Sequence, residues 1–419
     1  MVQSKPEVPV MTEILVIDTL GHQGDGVVQA ANGRIFVPFA LAGERVETAK
    51  SSGHRKIVEI IETSDDRIEP VCQHFGTCGG CQVQHLGHAP YIAWKRQLVV
   101  DALGSADINV PVAPVMSFPY DRRRRVVFSA THTSSDMLLG FVQKSTHNVV
   151  AISECPVITD AISSTLEVIK RVIRPILPAK GTTSIHVLDS DNGLDIYLET
   201  QGKLAEKPRQ SAIRIALAEN IARLSFGDET LIETRRPKLT MGTAEVCVPP
   251  GLFVQAVSSA EQAMAKLVSD HLKSCKQVAD LYCGAGTFAL RLAENSTVMA
   301  CESNQSAINA LDEAWRNTGG KLKLIRTEKR DLHARPVMAE ELKKIQGVVF
   351  DPPRAGAQPQ VQQLARSKVK KIAAVSCNPS SLAQDLKVLI ASGFKIKSIH
   401  PIDQFVYTPH IEVVALLER

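Results

Sequence analysis

The chain has 419 residues, more than one folding unit ordinarily holds, and its 44% hydrophobic and 22% charged residues exclude a wholly disordered or collagen-like chain. Lys and Arg together number 48 against 44 for Asp and Glu, an excess too small to mark a nucleic-acid or membrane surface by itself. No run of about 18 apolar residues occurs, and Met1–Thr12 has no apolar stretch after Lys5, so secretion and membrane spanning are not expected and a cytoplasmic location is.

In chain order, residues 12–63 read as a small β module, with short runs Glu13–Ile17, Val27–Ala31 and Arg34–Pro38 divided by Gly21, Gly24, Gly26 and Gly33. Lys50, Arg55 and Lys56 fall on or beside its last strands, where they could face phosphate or simply solvent. Residues 64–250 form a mixed region with a Cys-rich loop, a helix over Tyr91–Leu103, an Arg-rich strand and a helix near Ala161–Val172. From about residue 255 strands alternate with helices, the pattern of a doubly wound parallel sheet. The expected strands are Gln277–Leu281, Thr297–Cys301, Leu322–Arg326, Gly347–Phe350 and Lys371–Ser376, closed by an antiparallel pair at Phe394–His400 and His410–Leu417. Expected boundaries are therefore 1–63, 64–250 and 251–419.

The segment VADLYCGAGTFALRLA is a strand, a glycine turn and a helix, so Gly284 and Gly286 let backbone approach a ligand at the carboxyl end of the sheet. Glu302 ends the second strand, where its carboxylate could accept from both hydroxyls of an adenosine ribose, and Asp331 follows the third. A dinucleotide would suit this loop as well as S-adenosylmethionine. The fourth strand favours the latter, because it runs into Asp351-Pro352-Pro353-Arg354, a stiff acidic lip suited to presenting a flat base.

Carbon 5 of a uracil is too weakly nucleophilic to take a methyl group directly, but a thiolate added at carbon 6 makes it so. Cys377, in VSCNPSSLAQDL, sits at the end of the fifth strand beside a helix N-terminus, a location that favours thiolate. Glu412 interrupts the apolar strand HIEVVALLE, where a carboxylate is costly without a purpose, and is the candidate base for the carbon 5 proton, with His410 as its rival. Cys72, Cys78 and Cys81 form C-x5-C-x2-C, with Cys155 in SECPVI the best fourth ligand. Four thiolates suit zinc or an iron–sulfur cluster alike, and His74 or His85 could complete a zinc site instead.

Taken together, FVQ, DLYCGAGTF, DPPR, SCNPSSLAQD and HIEVVALL, in that order, with CGGCQVQH ahead of them, resemble the bacterial uracil-5 RNA methyltransferases, especially the branch acting on 23S ribosomal RNA. The resemblance spans nearly the whole chain. It implies a Rossmann-like α/β methyltransferase sheet, an N-terminal TRAM (OB-like) β barrel that binds RNA, and a mixed central domain. It further implies that Gln255, Tyr282, Glu302 and Asp351 contact S-adenosylmethionine with Asp331 near its adenine, that Cys377 and Glu412 are nucleophile and base, and that a 4Fe-4S cluster sits on the four cysteines. Thr287, where many relatives carry Asn, is a further expected cofactor contact. The run Asp121–Arg125 is more basic than the family's usual Tyr-Arg-Asn-Arg, and its side chains are expected to split between RNA phosphates and solvent. RNA is the expected partner; no membrane and no protein partner is. The alternatives are a transfer RNA uracil-5 methyltransferase, an N-methyltransferase in which Cys377 is structural, and a non-catalytic RNA-binding cluster protein.

Overall fold

Short alternating segments divided by glycine turns build the first unit, as expected. A computed structural model describes residues 12–51 and 54–419, so Lys5 and the rest of Met1–Met11 lie outside the described residues. Thr12–Val16, Arg45–Ser51 and His54–Glu62 form one antiparallel sheet, and Thr19–Leu20, Gly26–Ala30 and Gly33–Val37 a second, giving a barrel-like arrangement. Leu15, Ile17, Val37, Ala40 and Val46 supply its apolar core. Arg55 is tied to Glu13 at 2.6 Å and Thr48 at 2.9 Å, while Lys50 and Lys56 stay exposed.

This unit runs past residue 63 to Lys95 and takes in Phe405–Pro409 from far along the chain. The Gln82 and Val83 N–H groups donate to the Tyr407 carbonyl at 2.8 and 3.2 Å, and the Tyr407 N–H donates to the Tyr91 hydroxyl at 3.0 Å. The fully buried Lys95 ammonium donates to the Phe405 carbonyl at 3.2 Å. Gly24 is required where this segment packs, since a β-carbon there would lie 2.8 Å from the Val83 side chain and φ is +79°.

The second unit comprises Arg96–Gln404 and His410–Arg419. Its first layer is a seven-stranded sheet, in spatial order Val149–Ala151, Met137–Val142, Arg125–His132, Thr182–Ser190, Gly193–Glu199, Arg223–Phe226 and Glu229–Glu233. Phe128, Ile185, Ile196 and Leu224 pack beneath the helices as a core of its own. The single helix expected near Ala161–Val172 is two, Asp160–Ser163 and Leu166–Ile173. The Ser164 and Thr165 hydroxyls bond back to the Asp160 and Ala161 carbonyls at 2.6 and 2.7 Å, and this competition with the backbone ladder breaks the helix.

The second layer is a sheet of seven main strands: β1 Gln277–Leu281, β2 Thr297–Glu302, β3 Ile325–Lys329, β4 Gly347–Phe350, β5 Lys371–Ser376, β6 Lys395–Asp403 and β7 Glu412–Glu418. They lie in the order β3-β2-β1-β4-β5-β7-β6, with Met116–Ser117 paired to the end of β6. The first five are parallel and β7 runs antiparallel between β5 and β6. β4 and β5 read as near-continuous apolar runs because helices cover both faces. β3 begins three residues later than expected: its register against β2 runs from Ile325 to Lys329, and an edge strand tolerates the polar residues that apolar counting passes over. Strand order reverses between β1 and β4, so loops on either side part there and leave a crevice at the carboxyl edge. Among the described residues no helix is long and apolar enough to cross a membrane.

Candidate active site

The chain leaves β1 through a tight turn in which Tyr282, Gly284 and Gly286 have φ of 64°, 52° and 101°. A side chain at Gly286 would strike Leu311 at 2.5 Å, so the glycine lets the loop close on the following helix. Glu302, at the end of β2, accepts the Gly284 N–H at 3.1 Å with one oxygen and the Asn304 N–H at 2.8 Å with the other, tying the two loops together. The Tyr282 hydroxyl is buried with no hydrogen-bond partner among the described residues, and burial, helped by Asp385 and Asp331, holds it firmly un-ionised. The Thr287 carbonyl accepts from Arg291 at 2.6 Å. Asp331 is exposed and caps its own turn, one oxygen accepting the His333 and Ala334 N–H groups at 2.9 and 3.3 Å.

Across the crevice, Gln255 donates to Asp351 at 3.2 Å, accepts from Gln404 at 2.7 Å, and Gln404 donates to Glu412 at 3.0 Å. Two carboxyl groups are thus joined by two amides. Burial raises Asp351 to about 7, and burial with the neighbouring Asp351 charge raises Glu412 to about 8, opposed by Gln404 and Arg354. Cys377 follows β5, half-buried, with Asn378 capping the next helix by accepting the Ser380 N–H at 3.2 Å. Arg354 donates to His410 Nδ1 at 2.6 Å, and Asn378 donates to the Arg354 carbonyl at 2.9 Å. His410 is therefore an acceptor for a cation at the exposed rim, a poor station for a base.

These raised values have a thermodynamic consequence. Between the ordinary value of 4.5 and about 8, the folded protein holds a proton on Glu412 that the unfolded chain releases. The stability this contributes is fully present below the unfolded value and is lost as pH rises through the folded one. The thermal midpoint of the ligand-free protein is expected to fall from about pH 5 to about pH 8, and Glu412→Gln to flatten that fall. An unchanged slope in the variant would contradict the assignment.

Two expectations need correction. Cys377 was expected to favour thiolate, yet burial, with Glu412 and Asp351 adding to it, pushes the thiol up to about 11, against a partial offset from Arg354. A helix terminus is worth roughly 0.3–1 kcal/mol and does not outweigh them. The arginine run does not simply alternate between RNA and solvent: Arg124 is buried, donating to Glu261 at 2.7 Å and to the Gln255 carbonyl at 3.2 Å, while Arg122 pairs with Asp160 and Arg125 lies 4.8 Å over the Phe253 ring. Cys72, Cys78 and Cys81 lie in the first unit, Cys155 packs into the central core of the second, and among the described residues no three His, Cys, Asp or Glu side chains converge as a metal-holding group. Within the loop, burial raises the Cys78 thiol and the nearby Cys72 adds to the effect, so these two cysteines lie close together.

Sequence reasoning missed Gln404, Asp280 and the electrostatic part played by Arg354. Asp280 is fully buried in β1, and burial, with Asp351 and Glu302 adding to the effect, pushes its carboxyl well above the ordinary carboxylate range. Only a charged residue inside an apolar strand could have flagged it; nothing local marks Gln404.

A seven-stranded sheet in this order, with a glycine loop after β1 and an acid after β2, defines the Rossmann-like methyltransferase class. The fold matches that of Pyrococcus abyssi tRNA (uracil-54, C5)-methyltransferase at a TM-score of 0.74, with 24% identity, over 96% of this chain and 98% of that one. Residues 248–419 match the family model described as tRNA (Uracil-5-)-methyltransferase. An RNA methyltransferase of Agrobacterium fabrum is 46% identical over 97% of this chain and 100% of its own. The 23S rRNA (uracil(1939)-C(5))-methyltransferase RlmD of Shewanella sediminis is 30% identical over 96% of this chain and 95% of its own. The chain belongs to the S-adenosylmethionine-dependent uracil-5 RNA methyltransferase family, and is an enzyme of that class.

Proposed function

We propose that the protein methylates carbon 5 of a uridine in 23S ribosomal RNA through a covalent Cys377 adduct, with Glu412 as the base. The observation that carries this reading is the meeting of Cys377, Glu412 and Asp351, close enough that each carboxyl raises the thiol's pKa. Gln255, Tyr282, Thr287, Glu302, Asp331 and Asp351 are taken as the S-adenosylmethionine contacts, a reading supported by their positions on the loops at the carboxyl edge of the sheet; the P. abyssi protein, whose sheet this one resembles, was solved with S-adenosyl-L-homocysteine. Ribosomal RNA is favoured by the RlmD relative.

S-adenosylmethionine supplies the methyl group and a positive charge. The half-buried Cys377 thiol passes its proton to solvent and its sulfur bonds to carbon 6, the carbon 5–carbon 6 electron pair moving toward the carbon 4 carbonyl. Carbon 5 then takes the methyl group as the sulfonium's carbon–sulfur bond breaks. Glu412 accepts the carbon 5 proton, the freed pair restores the ring double bond, and Cys377 leaves as thiolate. Burial keeps water from Glu412, and Arg354 offsets the negative charge that accumulates when thiol and carboxyl ionise.

The first unit, including the barrel over residues 12–63, is read as an RNA-gripping TRAM-like module, and Cys72, Cys78, Cys81 and Cys155 as ligands of a 4Fe-4S cluster, supported by the C-x5-C-x2-C spacing and by no assembled site. No step passes through the cluster. Anaerobically purified protein should carry about four irons, the count of such a cluster; stoichiometric zinc with negligible iron would reject it. Mapping 5-methyluridine in cells with and without the gene tests the substrate: loss from 23S RNA is expected, and loss confined to transfer RNA would overturn the ribosomal reading.

A further inference from the structure

Gln404 lies between β6 and β7, fully buried, and uses both halves of its amide inside the site. The Val257 N–H can only donate, so the atom that faces it at 3.4 Å is Oε1, and the NH2 group is turned to Gln255 Oε1 at 2.7 Å and Glu412 Oε1 at 3.0 Å. An amide NH2 donates and never accepts. Glu412 Oε1 is therefore held as an acceptor and carries no proton while that bond stands. Its other oxygen, Oε2, is buried with no hydrogen-bond partner among the described residues. Gln255, its carbonyl oxygen engaged by Gln404, turns its own NH2 to Asp351 at 3.2 Å, so one amide orients the next.

From these bonds we infer that Gln404 is a positioning residue that assigns the proton-accepting role to Oε2 of Glu412 and, through Gln255, sets the orientation of Asp351. The inference rests on the reading of Glu412 as the base. In the elimination step Oε2 takes the carbon 5 hydrogen as a proton, the carbon–hydrogen pair becomes the ring double bond, and the carbon 6–sulfur bond breaks back to Cys377. The charged and titratable groups around Glu412 are Asp351 after β4, Arg354 in the loop beyond it, and Cys377 after β5. They shift both oxygens of the carboxyl together. Gln404 distinguishes one from the other, because among the described residues it is the hydrogen-bond partner of Oε1.

Gln404→Met keeps the volume and removes both donors. With RNA and methyl-labelled S-adenosylmethionine it should still transfer methyl, yet slow the elimination at least about tenfold, the effect of roughly 1.4 kcal/mol. Methyl-labelled covalent adduct should then accumulate on denaturing gels. The isotope effect with RNA carrying 5-deuterated uridine should exceed that of the wild type, and the limb of the pH–rate profile that reports Glu412 should move to higher pH, since a hydrogen bond favouring the carboxylate is gone. Gln404→Glu, of similar size, donates only while protonated, so its adduct should build up as pH rises; it carries the test if the Met variant does not fold. Glu412→Gln is run beside them. If it traps methylated adduct while both Gln404 variants show the wild-type isotope effect and pH profile, Gln404 only fills space and the inference falls. If Glu412→Gln releases methylated RNA at the wild-type rate, the assignment of the base is wrong, and the inference falls with it.

Discussion

Cys377→Ala is expected to lose at least about a thousandfold in methylation and to form no covalent RNA adduct, while still binding S-adenosylmethionine, because the thiol acts before methyl transfer and the cofactor side of the crevice does not depend on it. Glu412→Gln should differ in kind: it passes the first two steps, transfers methyl once and stays attached. The target base must leave its stack to reach Cys377, at roughly a few kcal/mol, so a looped RNA should give more of this trapped species than a duplex. The raised thiol adds a further expectation. With Cys377 at about 11, the ligand-free enzyme should react slowly with iodoacetamide at neutral pH. Rapid alkylation would show that the resting thiol is already ionised. Methylation surviving in Cys377→Ala would remove the covalent route altogether and restore direct N-methylation as the leading chemistry.

The second large effect concerns Glu261, buried in the helix Ser258–Leu272 between two guanidiniums. It accepts from Arg124 and from Arg291 at 2.7 Å each. Those arginines also hold the Gln255 and Thr287 carbonyls at 3.2 and 2.6 Å, two residues of the proposed cofactor site. Glu261→Ala leaves two buried cations without their counter-charge, a change that costs about 3–5 kcal/mol in other buried pairs. Denaturant titration should show a loss of this size together with weaker S-adenosylmethionine binding. Removing Glu62, whose pair with Arg45 at 3.1 Å is exposed, should cost less than about 1 kcal/mol. A loss under about 1 kcal/mol for Glu261→Ala as well would mean the triad is not the support the geometry implies.

What could be read from the sequence was what is encoded locally. The glycine turn after β1, the Asp351-Pro352-Pro353 lip, Cys377 before a capped helix and Glu412 in an apolar strand each carry their signal within a few residues, and the apolar runs of β4 and β5 gave their strands directly. What was missed depends on partners distant in the chain. Arg124 looked like one more exposed cation because Glu261 lies 137 positions away, and Gln404 looked like a loop residue because Gln255 lies 149 away. The state of Cys377 was misjudged for the same reason: the helix terminus beside it is visible in the sequence, whereas the carboxyls that oppose ionisation arrive from other strands. The mixed sheet of the central region went unread although two-residue turns at Asp191-Asn192 and Gly227-Asp228 join strands within it, because its parallel pair, Gly193–Glu199 with Arg223–Phe226, is joined across an intervening helix.

The adoption of Phe405–Pro409 by the first unit bears on how the protein is made. Lys95 and Tyr91 find their partners in Phe405 and Tyr407, 310 and 316 residues further on. At a synthesis rate of about 5–20 residues per second, the N-terminal module waits roughly 15–60 s on the ribosome before the peptide that completes it emerges. Through that interval the Lys95 ammonium lacks the Phe405 carbonyl and the amides of Gln82 and Val83 lack that of Tyr407, so the nascent module is an unfinished guest whose completing piece arrives more than three hundred residues later.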